Sequence, residues 1–400
     1  MHDANESRAA LGNRALFPEL RFDVYANHGS VSPLSEPVQA AVNEVLSAQA
    51  REGMGIFPAE VERRERVREQ FASLIGATGE DIGLVANTSA GVLAIAHSLP
   101  WRRGDRVLVF RGEFPTNVTP WQQAARRLGL ELVWMDAEDF RLDRVAAMEQ
   151  FEQHLAEGIR LVAVSAVQFT TGQLMPLEEM GESCRRHGSE LFVDAIQALG
   201  IVPLDVKRMG IDYLACGSHK WLMGPEGVGF VYIAPQRTDQ LEPNLAAWIS
   251  HEDAFEFLTG AAETLRYDRP IRRGARMLES GTFNNLGCAG LEASIGLIQS
   301  LGVTHIFEHV QAWHDGLEPA LQARGFESAR MTDPAGRSGI LSLQPPDNRA
   351  AAEWAGELGE RGISCASPAG WLRFTPHWPN PATETERVIR AVDSILHQGH

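Results

Sequence analysis

Two linked segments decide the reading of this chain: Leu191-Phe192-Val193-Asp194-Ala195-Ile196-Gln197, and Tyr213-Leu214-Ala215-Cys216-Gly217-Ser218-His219-Lys220-Trp221-Leu222-Met223-Gly224-Pro225-Glu226-Gly227-Val228-Gly229 running on to Ile233. The apolar run Leu191-Phe192-Val193 ends in Asp194, the pattern of a buried parallel strand that delivers a carboxylate at its C-terminal end, where open α/β sheets place ligands. Gln197, three residues on, is in reach of the same place. Tyr213-Leu214-Ala215 reads as a second strand and Phe230 to Ile233 as a third, so Lys220 sits in a turn between strands. A lysine flanked by His219 and Trp221 is not there for solubility, and a buried amine readily loses its proton and attacks carbonyls. The 26 residues from Asp194 to Lys220 suit a strand, a crossover and a returning strand.

An amine and a carboxylate so arranged meet the needs of an aldehyde cofactor. Pyridoxal phosphate forms a Schiff base with a lysine, and an aspartate near its pyridine nitrogen keeps the ring protonated and electron-withdrawing. D-A-I-Q followed by S-H-K-W-L-M-G-P-E-G-V-G-F resembles the active-site signature of class V pyridoxal-phosphate enzymes, which include cysteine desulfurases, selenocysteine lyases, kynureninase and isopenicillin N epimerase. The similarity extends from about Tyr25 to the C-terminal helix. It implies an α/β, fold-type I architecture, with a large domain built on a mostly parallel mixed sheet and a smaller α+β C-terminal domain. The expected division is an N-terminal arm at 1–30, a large cofactor-binding domain at 31–275 and a small domain at 276–400. Lys220 and Asp194 are the catalytic pair that the resemblance implies.

Composition narrows the alternatives. Four hundred residues allow a sizeable core and a large domain with a smaller partner. A formal net charge of −16 argues against a nucleic-acid or anionic-membrane surface, so an anionic cofactor must rely on local groups. Cys184, Cys216, Cys288 and Cys365 lack C-x-x-C spacing, which argues against a zinc site or disulfide scaffold and for a reduced, cytoplasmic setting without a bound metal. No run has signal-peptide or membrane-span character.

Along the chain, Asn27-His28-Gly29-Ser30 is a turn that the resemblance places near the substrate, with Asn27 and His28 as the candidate contacts. Pro37 to Gln49 and Ala59 to Ile75 have helical periodicity. Ile82 to Ala86 is a strand followed by Asn87-Thr88-Ser89-Ala90-Gly91 and a helix, an arrangement that suits an anion, and Thr88 and Ser89 are the phosphate candidates. Arg106 to Phe110, Glu131 to Met135 and Leu161 to Ser165 are further strands alternating with helices, the pattern of a doubly wound sheet. A dinucleotide-binding reading fails because G-P-E-G-V-G opens a strand, not a helix.

Glu113-Phe114-Pro115-Thr116-Asn117-Val118-Thr119-Pro120-Trp121 resembles the family segment E-H-H-A-N-x-x-P-W, whose first histidine stacks on the cofactor ring. Here Phe114 takes that position, which keeps stacking and removes proton transfer. In the loop after Ser165, Phe169 replaces a common asparagine, and Gln168 inherits the polar contact. Gly217 stands where many relatives carry a phosphate-binding serine, which leaves Ser218 and His219 beside Thr88 for that role. Residues 235–276 add Trp248, Phe255, Phe257 and Tyr267, as for a substrate mouth or a dimer contact. Glu279-Ser280-Gly281-Thr282-Phe283-Asn284 resembles an E-x-G-T-x-N turn whose threonine reaches the neighbouring subunit's cofactor, implying a homodimer with Thr282 in that role.

Arg373, in a strand of apolar and aromatic neighbours, has the planar fork that suits a carboxylate, and R-x-[ST]-P-H-x-x-N resembles the family's substrate-carboxylate arginine. The expected function is therefore a pyridoxal-phosphate enzyme acting on a small α-amino acid. β-Elimination is favoured, with no persulfide on Cys365. Epimerisation or transamination stands behind it, and a non-catalytic sensor is the reading of a different class.

Overall fold

The apolar strands and the helices between them close into a doubly wound sheet, as the alternation in sequence predicts. The computed structural model describes residues 9–260 and 265–398. After a short strand β1 (Val24–Tyr25) come β2 (Ile82–Val85), β3 (Arg106–Arg111), β4 (Glu131–Asp136), β5 (Ile159–Ser165), β6 (Glu190–Asp194), β7 (Tyr213–Gly217) and β8 (Gly229–Ile233). The last seven form one sheet in the order β2-β8-β7-β6-β5-β3-β4, in which β8 is antiparallel to β7 and β2 and the other pairs are parallel.

Side chains alternate across the pleat, so neighbouring residues enter opposite cores. Leu108, Phe110, Val162, Val164, Leu191 and Val193 join one, where Val67, Phe71, Met180 and Cys184 of helices Phe57–Ile75 and Leu177–His187 meet them. Val107, Val109, Leu161, Ala163 and Phe192 join the other, against Val92 and Ile95 of helix Thr88–Ser98 and Trp121 of helix Thr119–Leu128. The C-terminal ends of β2, β6 and β7 therefore share one edge, from which Thr88, Asp194 and Lys220 follow.

The smaller unit has the antiparallel order β12-β10-β9, from β9 (Glu327–Ser328), β10 (Leu341–Gln344) and β12 (Leu372–Phe374); β11 (Ile363–Ser364) pairs in parallel with β1. Helices Ala351–Glu360 and Glu384–Gln398 pack there.

The helices that follow residue 276 pack in both cores. Helix Asn285–Leu301 sends Cys288, Leu291, Ile295 and Ile298 into the large core. Its small residues permit this: a Cβ at Gly290 would lie 2.6 Å from Pro225 Cγ. In helix Val303–Gln322 the first half, with Ile306 and Val310, belongs to the large core, and Trp313, Leu317 and Leu321 belong to the small one. Of the segment expected as an N-terminal arm at 1–30, the described residues from 9 on reach both cores. Leu16 and Phe17 are buried in the large core, whereas Val24 and Ala26 are buried in the small core, so the segment stitches the two together.

The large unit carries a buried ion pair. Glu279 accepts hydrogen bonds from Arg68 Nε at 3.1 Å and Nη2 at 2.6 Å and from the Leu84 amide at 2.9 Å, and both side chains are at most 3% exposed. Glu279→Ala leaves Arg68 Nε and Nη2 and the Leu84 amide without their buried acceptor, Arg68 keeping only the exposed Glu65. Chemical unfolding of the variant is expected to show a loss of about 3 kcal/mol, with the denaturant slope unchanged. A loss below about 1 kcal/mol would rank this pair with exposed ones.

Candidate active site

A cavity of about 380 Å³ opens at the C-terminal edge of the sheet, lined by Gly29, Ser30, Asn87, Thr88, Ser89, Phe114, Thr116, Phe169, Asp194, Ile196, Gln197, His219, Lys220, Pro368 and Arg373. Of the residues anticipated from sequence, Lys220, Asp194, Thr88, Ser89, Phe114, Gln197, His219 and Arg373 come together here. The Lys220 Nζ lies 5.6 Å from the centre of the Phe114 ring.

Burial dominates the electrostatics. It lowers the Lys220 amine to about 8, with Arg373 acting in the same direction and Asp194 opposing. It raises the Asp194 carboxyl to about 6, against a 2.9 Å hydrogen bond from the Ile196 amide and the attraction of Lys220. His219 is lowered by burial and by Lys220, so its ring is the neutral form near pH 7.

The lysine turn is clamped through its carbonyls. The Ser32 amide donates to His219 O at 2.8 Å, the Ser32 hydroxyl donates to Lys220 O at 2.6 Å, and His377 Nε2 donates to Trp221 O at 2.8 Å. Because the single Ser32 hydroxyl proton goes to Lys220 O, His28 Nδ1, 2.8 Å from Ser32 Oγ, must carry the donor proton. Gln197 bridges Trp221 Nε1, accepted at 2.9 Å, and Gly29 O, to which it donates at 3.0 Å. Met223, just past the turn, takes φ 53, a conformation that costs energy in any residue with a Cβ and is held by this packing.

Arg373 donates to Phe169 O at 2.6 Å and to Ser30 Oγ at 3.0 Å, and its Nε is buried without a partner. Among the described residues no carboxylate pairs with it. Burial lowers it to about 10, so the cavity holds an uncompensated guanidinium, the reverse of a structural salt bridge. Thr88 Oγ1 is likewise buried with no partner, at the start of its helix. Ser89 Oγ and Thr116 Oγ1 are 2.8 Å apart.

Four expected contacts fall elsewhere. Ser218 is fully buried and its hydroxyl donates to Pro225 O, because the turn needs that carbonyl satisfied. Gln168 donates to Glu113 Oε1 at 3.1 Å behind the cavity wall, and Phe169 is the loop residue that faces in. His28 is buried between Tyr25 and His377, supporting Lys220 from behind. Asn27 bridges to Thr375 and approaches Ser364, leaving Gly29 and Ser30 as the lining residues of that turn. Thr282 lines two other cavities, as do Trp248 and Phe255 one of them, so none of these is in the chain's own Lys220 cavity. Phe257 packs against Arg269 and His251, and Tyr267 is on the surface.

Sequence reasoning missed Ser30, Asn87, Thr116 and Pro368. Ser30, Asn87 and Thr116 stand within motifs already singled out, but a turn does not disclose which of its side chains points inward.

The aminotransferase class V family model matches residues 32–370. An uncharacterized aminotransferase of Bacillus subtilis is 29% identical over 383 residues, covering 94% of this chain and 95% of that protein. The isopenicillin N epimerase of Streptomyces clavuligerus is 29% identical over 395 residues, covering 96% and 97%. Among solved structures, the apo cysteine desulfurase of Thermococcus onnurineus NA1 superposes with a TM-score of 0.83 at 25% identity, over 94% of this chain and 95% of that one.

The chain contains two lysines, and the other, Lys207, is exposed. In the cofactor-free protein, an aldehyde followed by borohydride is expected to label Lys220, with a rate that rises through about pH 8 as the amine loses its proton. Peptide mapping that found the label on Lys207 alone, or a midpoint at the ordinary lysine value near 10.5, would remove Lys220 from its role.

Proposed function

The chain belongs to the aminotransferase class V family, whose cofactor is pyridoxal phosphate, and from that premise we propose that it is a β-eliminating lyase acting on a small α-amino acid, cleaving a C–S or similar bond without a persulfide cysteine. The residues present fit the cofactor. Thr88 Oγ1 is an orphaned buried hydroxyl beside His219, since a Cβ at Gly217 would stand 3.3 Å from the first and 3.5 Å from His219 Nδ1. Thr88, Ser89 and His219 would hold the phosphate, Asp194 the pyridine nitrogen, and Lys220 the aldehyde carbon. When bound, the cofactor supplies an electron sink for the substrate's α-carbon.

The chain's own residues do the rest. Asp194, kept charged by the Ile196 amide and by Lys220, is the carboxylate that would keep the bound cofactor's ring nitrogen protonated. Arg373 takes the substrate carboxylate into the partner it lacks, in two-point geometry. Lys220, its amine near the operating pH, removes the α-proton and can return it to the departing sulfur. Phe114, Phe169 and Pro368 give the cavity its apolar lining beside these groups.

The observation that carries the reading is the cavity's proton inventory. Lys220 is the basic amine present, His219 is lowered beside it, and the ring opposite is Phe114. Elimination uses one base on one face, whereas epimerisation needs a second donor on the other. Cys365 packs beside the small core, outside the cavity lining, and burial raises its thiol to about 12, which suits a structural cysteine and not a sulfur acceptor. Cys365→Ala is expected to retain cofactor and activity when cysteine, cystine and cysteine sulfinate are assayed for sulfur release, keto acid and ammonia. Loss of activity with cofactor still bound would return the enzyme to the persulfide-forming group, and inversion at the α-carbon without keto acid would make it an epimerase.

A homodimer is part of the proposal. Its support is the position of Thr282, in an apolar cavity of about 630 Å³ with Leu84, Leu93 and Leu245, away from the Lys220 cavity of its own chain. If Thr282 completes the neighbour's site, mixing inactive Lys220→Ala with weakened Thr282→Ala should restore activity, because one site of the mixed dimer is intact. Activity of the mixture no higher than that of its components would refute the shared site.

A further inference from the structure

Glu113 is a buried carboxylate that the chemistry above does not use. It accepts hydrogen bonds from the Ser165 amide at 2.6 Å, from the Ser165 hydroxyl and from Gln168 Nε2 at 3.1 Å. Each contact leads toward the cavity by a different route. Ser165 stands opposite Asp194 in the β5–β6 ladder, and the next amide, Ala166, donates to Asp194 O at 2.8 Å. Gln168 opens the tight loop 168–173, closed by its own amide to Gln173 O at 2.9 Å and by the Gly172 amide to Gln168 O at 2.8 Å. The residue after Glu113 is Phe114, whose ring meets that of Phe169 edge-on at 5.4 Å.

The small domain docks on this same loop, through its carbonyls. Arg373 donates to Phe169 O, Ser342 to Thr170 O and Ser338 to Gly172 O. The loop is thus held from the small domain by three donors and from the large domain by one carboxylate. Burial pushes Glu113 up to about 7, against the Ser165 and Gln168 hydrogen bonds, so the fold keeps an acceptor there at a cost in charge burial.

We propose that Glu113 is a positioning residue that, through Gln168 and Ser165, fixes the loop 168–173 so that the Phe169 carbonyl aims the Arg373 guanidinium into the cavity. The proposal rests on the reading of Arg373 as the substrate-carboxylate group. Side chains at Glu113 and Gln168 need touch no ligand. Loss of either frees the same carbonyl and the same guanidinium.

The test uses the cofactor-loaded enzyme titrated with L-alanine, which has the carboxylate and amine of any α-amino acid, followed by the visible absorption of the cofactor. Glu113→Ala and, separately, Gln168→Leu are each expected to raise the half-saturating concentration about 10-fold while cofactor content is unchanged. In an Arg373→Lys background, itself weakened, neither change should weaken binding further, since the link ends on Arg373. Glu113→Gln keeps an acceptor oxygen for Ser165 and should recover most of the affinity, whereas Glu113→Met, of similar volume and without the acceptor, should bind no better than Glu113→Ala. Equal effects of Glu113→Ala and Gln168→Leu in both backgrounds, or no effect of either, would overturn the proposal while Arg373→Lys still weakened binding. No effect of Arg373→Lys, or no saturable response from the unaltered enzyme, would overturn the reading of Arg373 and the proposal with it. Should Glu113→Ala fail to fold, Gln168→Leu breaks the same link from the loop side and decides alone.

Discussion

An amine can be kept half-neutral inside a protein only if the turn that bears it is prevented from relaxing into water. In this chain that constraint falls on the backbone from His219 to Trp221. A turn between two buried strands presents carbonyls that have no ladder partner, and each unpaired one would cost about 1–3 kcal/mol. Ser32 meets two of them and His377 the third. These donors come from the N-terminal segment and from beyond β12, so the lysine's environment is complete only when both ends of the chain are in place. The N-terminal segment divides its apolar side chains between the two cores for the same reason, and the Arg14 contact with the buried Glu384 adds a polar stitch.

The second constraint is what the cavity leaves undone. Arg373 and Thr88 both have buried polar atoms without protein partners, and Arg373 lacks the carboxylates that other buried arginines of this fold have. Arg68 has Glu279 and Glu65, and Arg330 has Asp315 and Glu318. An arginine shielded from water and paired only with a carbonyl and a hydroxyl is worse off than either. The difference is recovered when a carboxylate arrives, and an exposed or already paired arginine has no such reserve. With the whole chain at −16, binding of anionic groups depends on this local bookkeeping and not on the general field.

The fold and the chemical centre were legible in the sequence because both rest on patterns that local physics fixes. Continuous apolar runs marked the strands of the parallel sheet, and a carboxylate at the end of one run with a lysine in the next turn marked the centre. What was not legible depends on which way a side chain turns. His28 and Ser30 share a turn, and only packing against Tyr25 and His377 shows that the histidine faces away and the serine faces in. Gln168 and Phe169 are adjacent, and the choice between them is made by Glu113, more than fifty residues earlier. Ser218 looked like a phosphate ligand by its neighbours, but its hydroxyl was already committed to Pro225 O. The change of sequence rhythm near 276 records where secondary structure changes. Which core a helix joins is decided by the size of its contact residues, as at Gly290.

The loop 168–173 brings these points together. Its carbonyls are the docking points of the small domain, its aromatic ring forms a wall of the cavity, and its anchor is a carboxylate that burial makes reluctant to ionise. Replacing an asparagine-type contact by Phe169 removes a polar side chain from the cavity, yet the backbone carbonyl of that residue takes on a polar task, the alignment of Arg373. A carbonyl can do this only if the loop does not move, since a shift of even a few tenths of an ångström from 2.6 Å toward 3.2 Å would weaken the hydrogen bond that orients the guanidinium. In the proposed positioning role, the cost of burying Glu113 goes into stiffness and not into binding. In the proposed function, Phe114, held edge-on against Phe169 and next to Glu113 in the chain, contributes a ring surface, and proton transfer is left to Lys220.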